Sequence, residues 1–240
     1  MKALIVTAGK GTRMGVGEET NKSLLLIGDK SILMHSLDAL AQHDIHKVCV
    51  VVGHCGDKVT EAVGDRAVCI NNPEYAAKGI VVSIACAREQ LYGEEFIFLT
   101  GDVFYESRIL EHCRSTQADI AVLYEKKDSY AEEDSKLSIA GNKIVRMGKH
   151  LSAEETSGEF GHMIKFSKEG SKILFDEIDR FISRGDTKTY LMDVINAIIE
   201  RGILVTPLDI GDLPKIDIDF PEELERARVH MFPLIYKKEP

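Results

Sequence analysis

The 240-residue sequence has no CxxC pair among its five cysteines, Cys49, Cys55, Cys69, Cys86 and Cys113. Their odd number and wide spacing argue against a zinc site or a disulfide framework, and several sit inside apolar runs as reduced core residues would. No stretch approaches the roughly 18 apolar residues of a membrane span, and the apolar run after Lys2 ends by Gly9, too soon for a signal peptide. An excess of basic charge is missing as well. The formal charge of −9 disfavours broad contact with nucleic acid or an anionic membrane, while leaving room for a local cationic loop. There is no internal repeat, low-complexity tract or long linker, so one domain over 1–240 is expected. A cytoplasmic protein is the simplest expectation.

What is present is an ordinary globular composition, 44% hydrophobic and 29% charged, in a chain long enough to bury one substantial core. The most informative stretch is 1–26. A short apolar run, Ala3 to Val6, leads into Thr7-Ala8-Gly9-Lys10-Gly11-Thr12-Arg13-Met14, and Lys22 follows. Glycines let backbone approach an anion closely, and successive N–H groups can form an anion-binding concavity. Lys10, Arg13 and Lys22 add positive charge, with Arg13 offering a planar fork for phosphate oxygens. The expectation is a phosphate site at the carboxyl end of the first strand. A Walker A loop is excluded because Gly11-Thr12-Arg13 is not Gly-Lys-Ser/Thr. A dinucleotide fingerprint is excluded because the glycine after Gly11 comes one residue late, at Gly15.

Along the chain, strand and helix patterns alternate. Helical spacing covers Ser31 to Asp44, Lys58 to Val63, Gly79 to Leu91 and Glu106 to Thr116; apolar runs at 47–52, 67–70, 96–99 and 119–124 read as strands. The fold expected is α/β, a three-layer, mostly parallel mixed sheet with helices on both faces. In such sheets ligands gather beyond the carboxyl ends of the strands, which puts Gly9–Arg13, His54, Asn71–Asn72 and Asp102 on one rim. The second half differs: a charged loop at 126–136, a hairpin over 138–147 turning at Gly141-Asn142, a strand at 159–166, helices at 168–183 and 189–200, and a strand at 203–208. It ends in Lys215-Ile216-Asp217-Ile218-Asp219-Phe220-Pro221-Glu222-Glu223-Leu224, where Pro221 starts a helix with Asp219 as its expected N-cap.

Three carboxylates stand out. Asp102 follows a strand end behind Gly101, and Asp217 and Asp219, two apart in extended backbone, face the same side. Magnesium takes oxygen ligands and often uses one or two carboxylates plus substrate phosphates. Each of these acids also suits a turn or a helix cap, so both readings stand at this point.

The opening motif, with Lys22-Ser23-Leu24-Leu25 behind it, resembles the LAAGxGTRM…PKxLL signature of the nucleotidyltransferase, or pyrophosphorylase, family that makes nucleotide-sugars and CDP-alcohols. It departs at Val6-Thr7, at Asn21 where the family has proline, and at Ser23. Thr100-Gly101-Asp102 and the 217–224 segment match two further motifs of that family in the expected order. The resemblance implies a Rossmann-like fold with a hairpin insertion. It implies Mg2+ held by Asp102 and Asp219 with Asp217 close, Arg13 on the β- and γ-phosphates, and Lys22 on the α-phosphate and the acceptor. Lys10 would assist, and Ala8, Gly9, Gly11 and Thr12 would line the nucleotide, with 1–125 the nucleotide half and 126–240 the acceptor half.

The segment Asn72-Pro73-Glu74-Tyr75 to Ser83-Ile84 looks like the CTP-using branch that includes phosphocholine, phosphonate and inositol-phosphate cytidylyltransferases. Gly79-Ile80 stands where that branch often has Asn-Asn, and the same segment also resembles molybdopterin cytidylyltransferases. Ser83 and Gly79 are therefore candidate cytidine contacts. For a cationic acceptor head, aromatic faces and acids are needed, and Tyr105, Glu159, Tyr190 and Asp193 are the candidates, with Phe104 nearby. The reading is a Mg-dependent cytidylyltransferase joining CTP to a small phosphate or phosphonate and releasing pyrophosphate. A sugar-1-phosphate or inositol-phosphate nucleotidyltransferase using UTP or CTP and a non-catalytic pyrophosphorylase-like regulatory subunit are the alternatives, and a homodimer is expected by analogy alone.

Overall fold

The computed structural model describes residues 1–15, 17 and 19–236; Val16, Glu18 and 237–240 lie outside the described residues. In chain order the strands are β1 (Lys2–Val6), β2 (Leu26–Ile27), β3 (Lys30–Ser31), β4 (Val48–Val52), β5 (Val68–Asn71), β6 (Phe96–Thr100), β7 (Val103–Tyr105), β8 (Ile120–Glu125), β9 (Lys136–Ala140), β10 (Lys143–Gly148), β11 (Gly158–Phe166), β12 (Thr206–Asp209) and β13 (Lys215–Asp217). The helices are α1 (Ile32–Gln42), α2 (Gly56–Val63), α3 (Ile80–Cys86), α4 (Arg88–Leu91), α5 (Ile109–Ser115), α6 (Lys168–Ser183), α7 (Leu191–Glu200), α8 (Pro221–Arg226) and, after a π-turn, α9 (Phe232–Tyr236).

Strands β5, β4, β1 and β6 lie side by side and parallel, and β11 continues the sheet antiparallel to β6. Beyond β11 come β8 and β12, while the β9–β10 hairpin joins the start of β11. The run Val48–Val52 is buried at every position, as a strand covered on both faces must be. One face packs against α3, α6 and α7, whose Ile84, Leu174, Phe175 and Ile195 join Phe96, Phe98 and Phe166. The other packs against α1, α2 and α5 through residues such as Leu33, Leu40, Val59 and Ile109. Ser31 starts α1 and Ser167 starts α6 by accepting hydrogen bonds from the N–H groups of Met34 (3.3 Å) and Gly170 (3.0 Å). The architecture is the α/β sheet expected.

Two of the boundaries that differ from the pattern reading have a plain local cause. The helix expected over 79–91 breaks at Ala87, whose N–H closes back on the Ile84 carbonyl at 3.0 Å. The apolar run at 203–208 enters the sheet only at Thr206, because the Val205 carbonyl is taken by Ile144 of the hairpin at 2.9 Å. A third, smaller core of Met14, Ile27, Ile32, Phe104, Ile216, Ile218 and Leu224 ties the first loop to the last strand and the C-terminal helices. This core brings the two ends of the sequence together.

Candidate active site

The strand order reverses about β1, so the loops after β1 and β6 leave the sheet side by side at its switch point. Gly101 makes this closeness possible. Its N–H bonds the Val6 carbonyl at 2.9 Å, and a Cβ there would meet Thr7 Cγ2 at 2.5 Å. After β1, Gly11 adopts a left-handed φ of 59° and opens a single turn, Thr12–Met14, that presents Arg13 to solvent. Asn21 is 1% exposed and fully used. Its Nδ2 donates to the carbonyls of Thr7 and His54 (2.8 Å each), and its Oδ1 accepts from the N–H (3.0 Å) and hydroxyl (2.8 Å) of Ser23. One side chain thereby fixes the loops after β1 and β4 to the turn that carries Lys22.

Lys22 is the hub. Its Nζ lies 2.6 Å from Asp102 Oδ2 and 2.7 Å from Asp219 Oδ1, and Arg13 Nη2 holds the other Asp219 oxygen at 2.6 Å. Asp219 is free to do so because it does not cap the last helix, as its position had suggested. The helix begins at Pro221 with Phe220 as its N-cap, and the Glu223 carboxylate accepts from the N–H groups of Asp219 (2.5 Å) and Phe220 (2.8 Å). Strand β13 pairs antiparallel with β7, Asp217 against Val103, which sets Asp217 beside Asp102. Both Asp102 Oδ1 and Asp217 Oδ1 are buried without a hydrogen-bond partner.

Burial raises the pKa of the Asp102 carboxyl, but Lys22, His162 and a hydrogen bond from Thr100 outweigh it and hold the group at about 2. Burial, then the like charges of Asp102 and Asp219, push Asp217 well above the usual carboxylate range. Burial also lowers the Lys22 ammonium, and its two carboxylates reverse that and raise it. His162, enclosed and facing Lys215, is pushed down to about 4 against the pull of the acids. At neutral pH the cluster thus holds a charged Lys22, an ionised Asp102 and a neutral imidazole.

Beside this cluster opens a cleft of about 840 Å³, lined by Gly9, Arg13, Asp102, Glu159, Tyr190, Asp217 and Asp219 among others. Gly11, Thr12, Arg13 and Lys22 line a smaller recess between β1 and the acids. The structure therefore brings together Gly9, Gly11, Thr12, Arg13, Lys22, Asp102, Asp217 and Asp219. Ala8 is buried behind the loop, its carbonyl accepting from the His54 N–H at 3.1 Å, and Lys10 is exposed.

Several expected contacts lie elsewhere. Ser83 is 4% exposed, and its hydroxyl accepts from Asn72 Nδ2 at 2.9 Å, so it orders the loop after β5 from within. Gly79 lines the cleft, yet its missing side chain serves the chain opposite: a Cβ would reach the Thr189 carbonyl at 2.9 Å. Tyr105 is buried between β7 and the helices of the second face, and Phe104 stacks in the third core, away from the cleft. The Asp193 carboxylate accepts from the Tyr190 N–H at 3.1 Å and starts α7 instead of facing a ligand. Glu159 lines the cleft but is paired with Lys127. Tyr190 remains exposed at its mouth.

Sequence reasoning missed His162. It stands in β11 opposite the end of β6, and no motif marks it; Gly161-His162 in an otherwise alternating strand is the one local sign of a bulge. Lys215, whose Nζ lies 2.9 Å from Glu125 Oε1, and Lys127 also enter the cleft from segments that read as plain strand and loop.

The model of the MobA-like NTP transferase domain matches residues 3–197. The chain belongs to this family. It is similar to the glucose-1-phosphate thymidylyltransferase of Streptomyces antibioticus, 31% identical over 109 residues that cover 43% of this chain and 31% of that protein. Among solved structures, the inositol-1-phosphate CTP transferase from T. maritima superposes with a TM-score of 0.79 at 18% identity, covering 92% of this chain and 90% of that one. The CTP:phosphocholine cytidylyltransferase from Streptococcus pneumoniae gives 0.73 at 16% identity, covering 95% and 97%. At these identities the structural likeness is one of fold. The chain spans 31%, 45% and 55% of the lengths of three curated relatives it matches. No helix among the described residues is long and apolar enough to cross a membrane.

Proposed function

We propose that this chain is a nucleotidyltransferase that moves CMP from CTP to a small phosphate or phosphonate monoester and releases pyrophosphate. The observation that carries the reading is Lys22, shared between Asp102 and Asp219 with Arg13 beside it, at the mouth of the glycine loop. An ammonium has three donors, and two are engaged by carboxylates, so one remains for a phosphate oxygen. Arg13 uses one edge of its fork on Asp219 and is half exposed toward the recess, fit to hold the departing pyrophosphate. The acceptor oxygen attacks the α-phosphorus, and the bond to the bridging oxygen of pyrophosphate breaks. No general base is required, because the acceptor is already ionised.

The two buried, unpartnered oxygens of Asp102 and Asp217 fit a divalent cation, and Asp219 lies next to them. Such an ion would neutralise triphosphate charge as it shifts onto the leaving group. In this reading 1–125 binds the nucleotide and 126–240 the acceptor. CTP is favoured by the Asn72-to-Ile84 resemblance, and a cationic acceptor head by the aromatic and acidic lining around Phe160, Tyr190 and Glu133. The likeness to a thymidylyltransferase supports a second reading, a sugar-1-phosphate acceptor with another pyrimidine nucleotide. The test is Asp102→Ala: turnover should fall by roughly 100-fold or more in a protein that still folds, since Lys22 keeps Asp219 as its partner. Unchanged turnover would remove Asp102 from the site.

A further inference from the structure

His162 is held in a left-handed backbone conformation beside the acids. Strand β11 breaks register with β8 between Phe160 and Ile164, and inside that break His162 takes a left-handed φ of 60°. This conformation costs a non-glycine residue roughly 1–2 kcal/mol, and such strain gathers where a side chain must be aimed. The aim here is well defined. The ring stacks on Phe160 (centroids 5.2 Å apart, 22° between planes), Nδ1 lies 3.4 Å from Thr100 Oγ1, and Nε2 lies 3.4 Å from Asp217 Oδ2.

In the tautomer that donates Nδ1–H to Thr100, the Nε2 lone pair faces the Asp217 carboxylate. Two acceptors at that distance repel unless a proton or a cation stands between them. Donor atoms of Asp102, His162 and Asp217 all lie within 4.8 Å of one another, and Asp102 Oδ1 and Asp217 Oδ1 have no hydrogen-bond partner. Thr100 then plays the part that a carbonyl or carboxylate commonly plays behind a ligating histidine, fixing tautomer and ring orientation.

We propose that His162 is a direct ligand of the divalent ion, and that this imidazole makes the site select a first-row transition ion such as Mn2+ or Co2+ over Mg2+. Carboxylates and water suit Mg2+, whereas imidazole adds affinity along the transition series. The inference rests on the metal-dependent reading above, but its test does not use catalysis.

Co2+ is titrated into the metal-free protein and followed by its visible absorption, with Mn2+ and Mg2+ binding measured by calorimetry. The comparison is between the wild type, His162→Gly and His162→Asn. Glycine suits the left-handed backbone, which offsets part of the cavity that the lost ring leaves, and a melting curve for each variant guards against a folding artefact. The wild type should show a nitrogen-ligated cobalt spectrum and prefer Mn2+ over Mg2+. In His162→Gly that spectrum should be lost and Mn2+ affinity should fall by roughly 10–100-fold, with Mg2+ affinity changed much less. An equal Mn2+ to Mg2+ ratio in wild type and His162→Gly, or no cobalt spectrum at millimolar metal, overturns the assignment. Pyrophosphate release, measured separately with Mg2+, shows whether the transfer reading survives such a failure.

Discussion

Asp217 lies among the like charges of Asp102 and Asp219, and its Oδ1 has no hydrogen-bond partner. In the metal-free protein this is a cost, so Asp217→Asn should raise the melting temperature at pH 7, by about 2–4 °C per kcal/mol recovered, while lowering turnover. A melting temperature that falls would contradict the electrostatic account. Lys22→Ala should weaken use of the acceptor more than nucleotide binding, read as the change in KM for each substrate; equal changes would refute its role between them. His162 gives a pH signature. Its native pKa, about 4 against an ordinary 6.5, means the unfolded chain takes up a proton that the native state refuses. Stability from this group is complete above pH 6.5 and is lost as pH falls toward 4, by about 3 kcal/mol. Asp217, with its pKa raised, acts oppositely and loses stability as pH rises above 3.8. Thermal melts from pH 7 to 4.5 should therefore decline less steeply for His162→Asn than for the wild type. Parallel curves would show that the imidazole is not held neutral by the fold.

At the scale of elements, Asn21 joins three loops through four hydrogen bonds. Asn21→Ala strands the carbonyls of Thr7 and His54 and should cost roughly 2–4 kcal/mol in chemical unfolding, with turnover falling as Lys22 loses its seat. A loss below 1 kcal/mol would mean that water or backbone replaces it. What was legible in the sequence follows the same scale. Periodicity gave the parallel strands and the long helix α6, because buried strands and amphipathic helices write their environment into residue type. The glycine loop and the acids at 102, 217 and 219 were legible because each sits at a strand end or in a local motif. Ser83 and Asp193 lie elsewhere because a hydroxyl or carboxylate has local partners that no spacing reveals, Asn72 and the Tyr190 N–H, and Tyr105 because its ring fills the core under β7. His162 was invisible for the opposite reason. Its role arises from a bulge, and a bulge is decided by what the neighbouring strands β6 and β8 require.

Across the whole molecule, the first loop and the last strand meet over the third core, so residues 13, 22, 102, 217 and 219 form one site from the two ends of the sequence. Binding of triphosphate with a divalent ion should add phosphate contacts to the donors of Lys22 and Arg13 that the carboxylates leave over, and stabilise the fold by mass action, about 2.7 kcal/mol at 100 times the dissociation constant. The measurement that tests the account most directly is pyrophosphate release with Mg2+ or Mn2+. CTP, UTP, dTTP and ATP are each paired with phosphocholine, 2-aminoethylphosphonate, inositol phosphate and several sugar phosphates. The account predicts release with CTP and one small phosphate or phosphonate, abolished in Asp102→Ala. Release confined to UTP or dTTP with a sugar phosphate would keep the chemistry and overturn the substrate assignment. Absence of release from every pair would contradict the account itself.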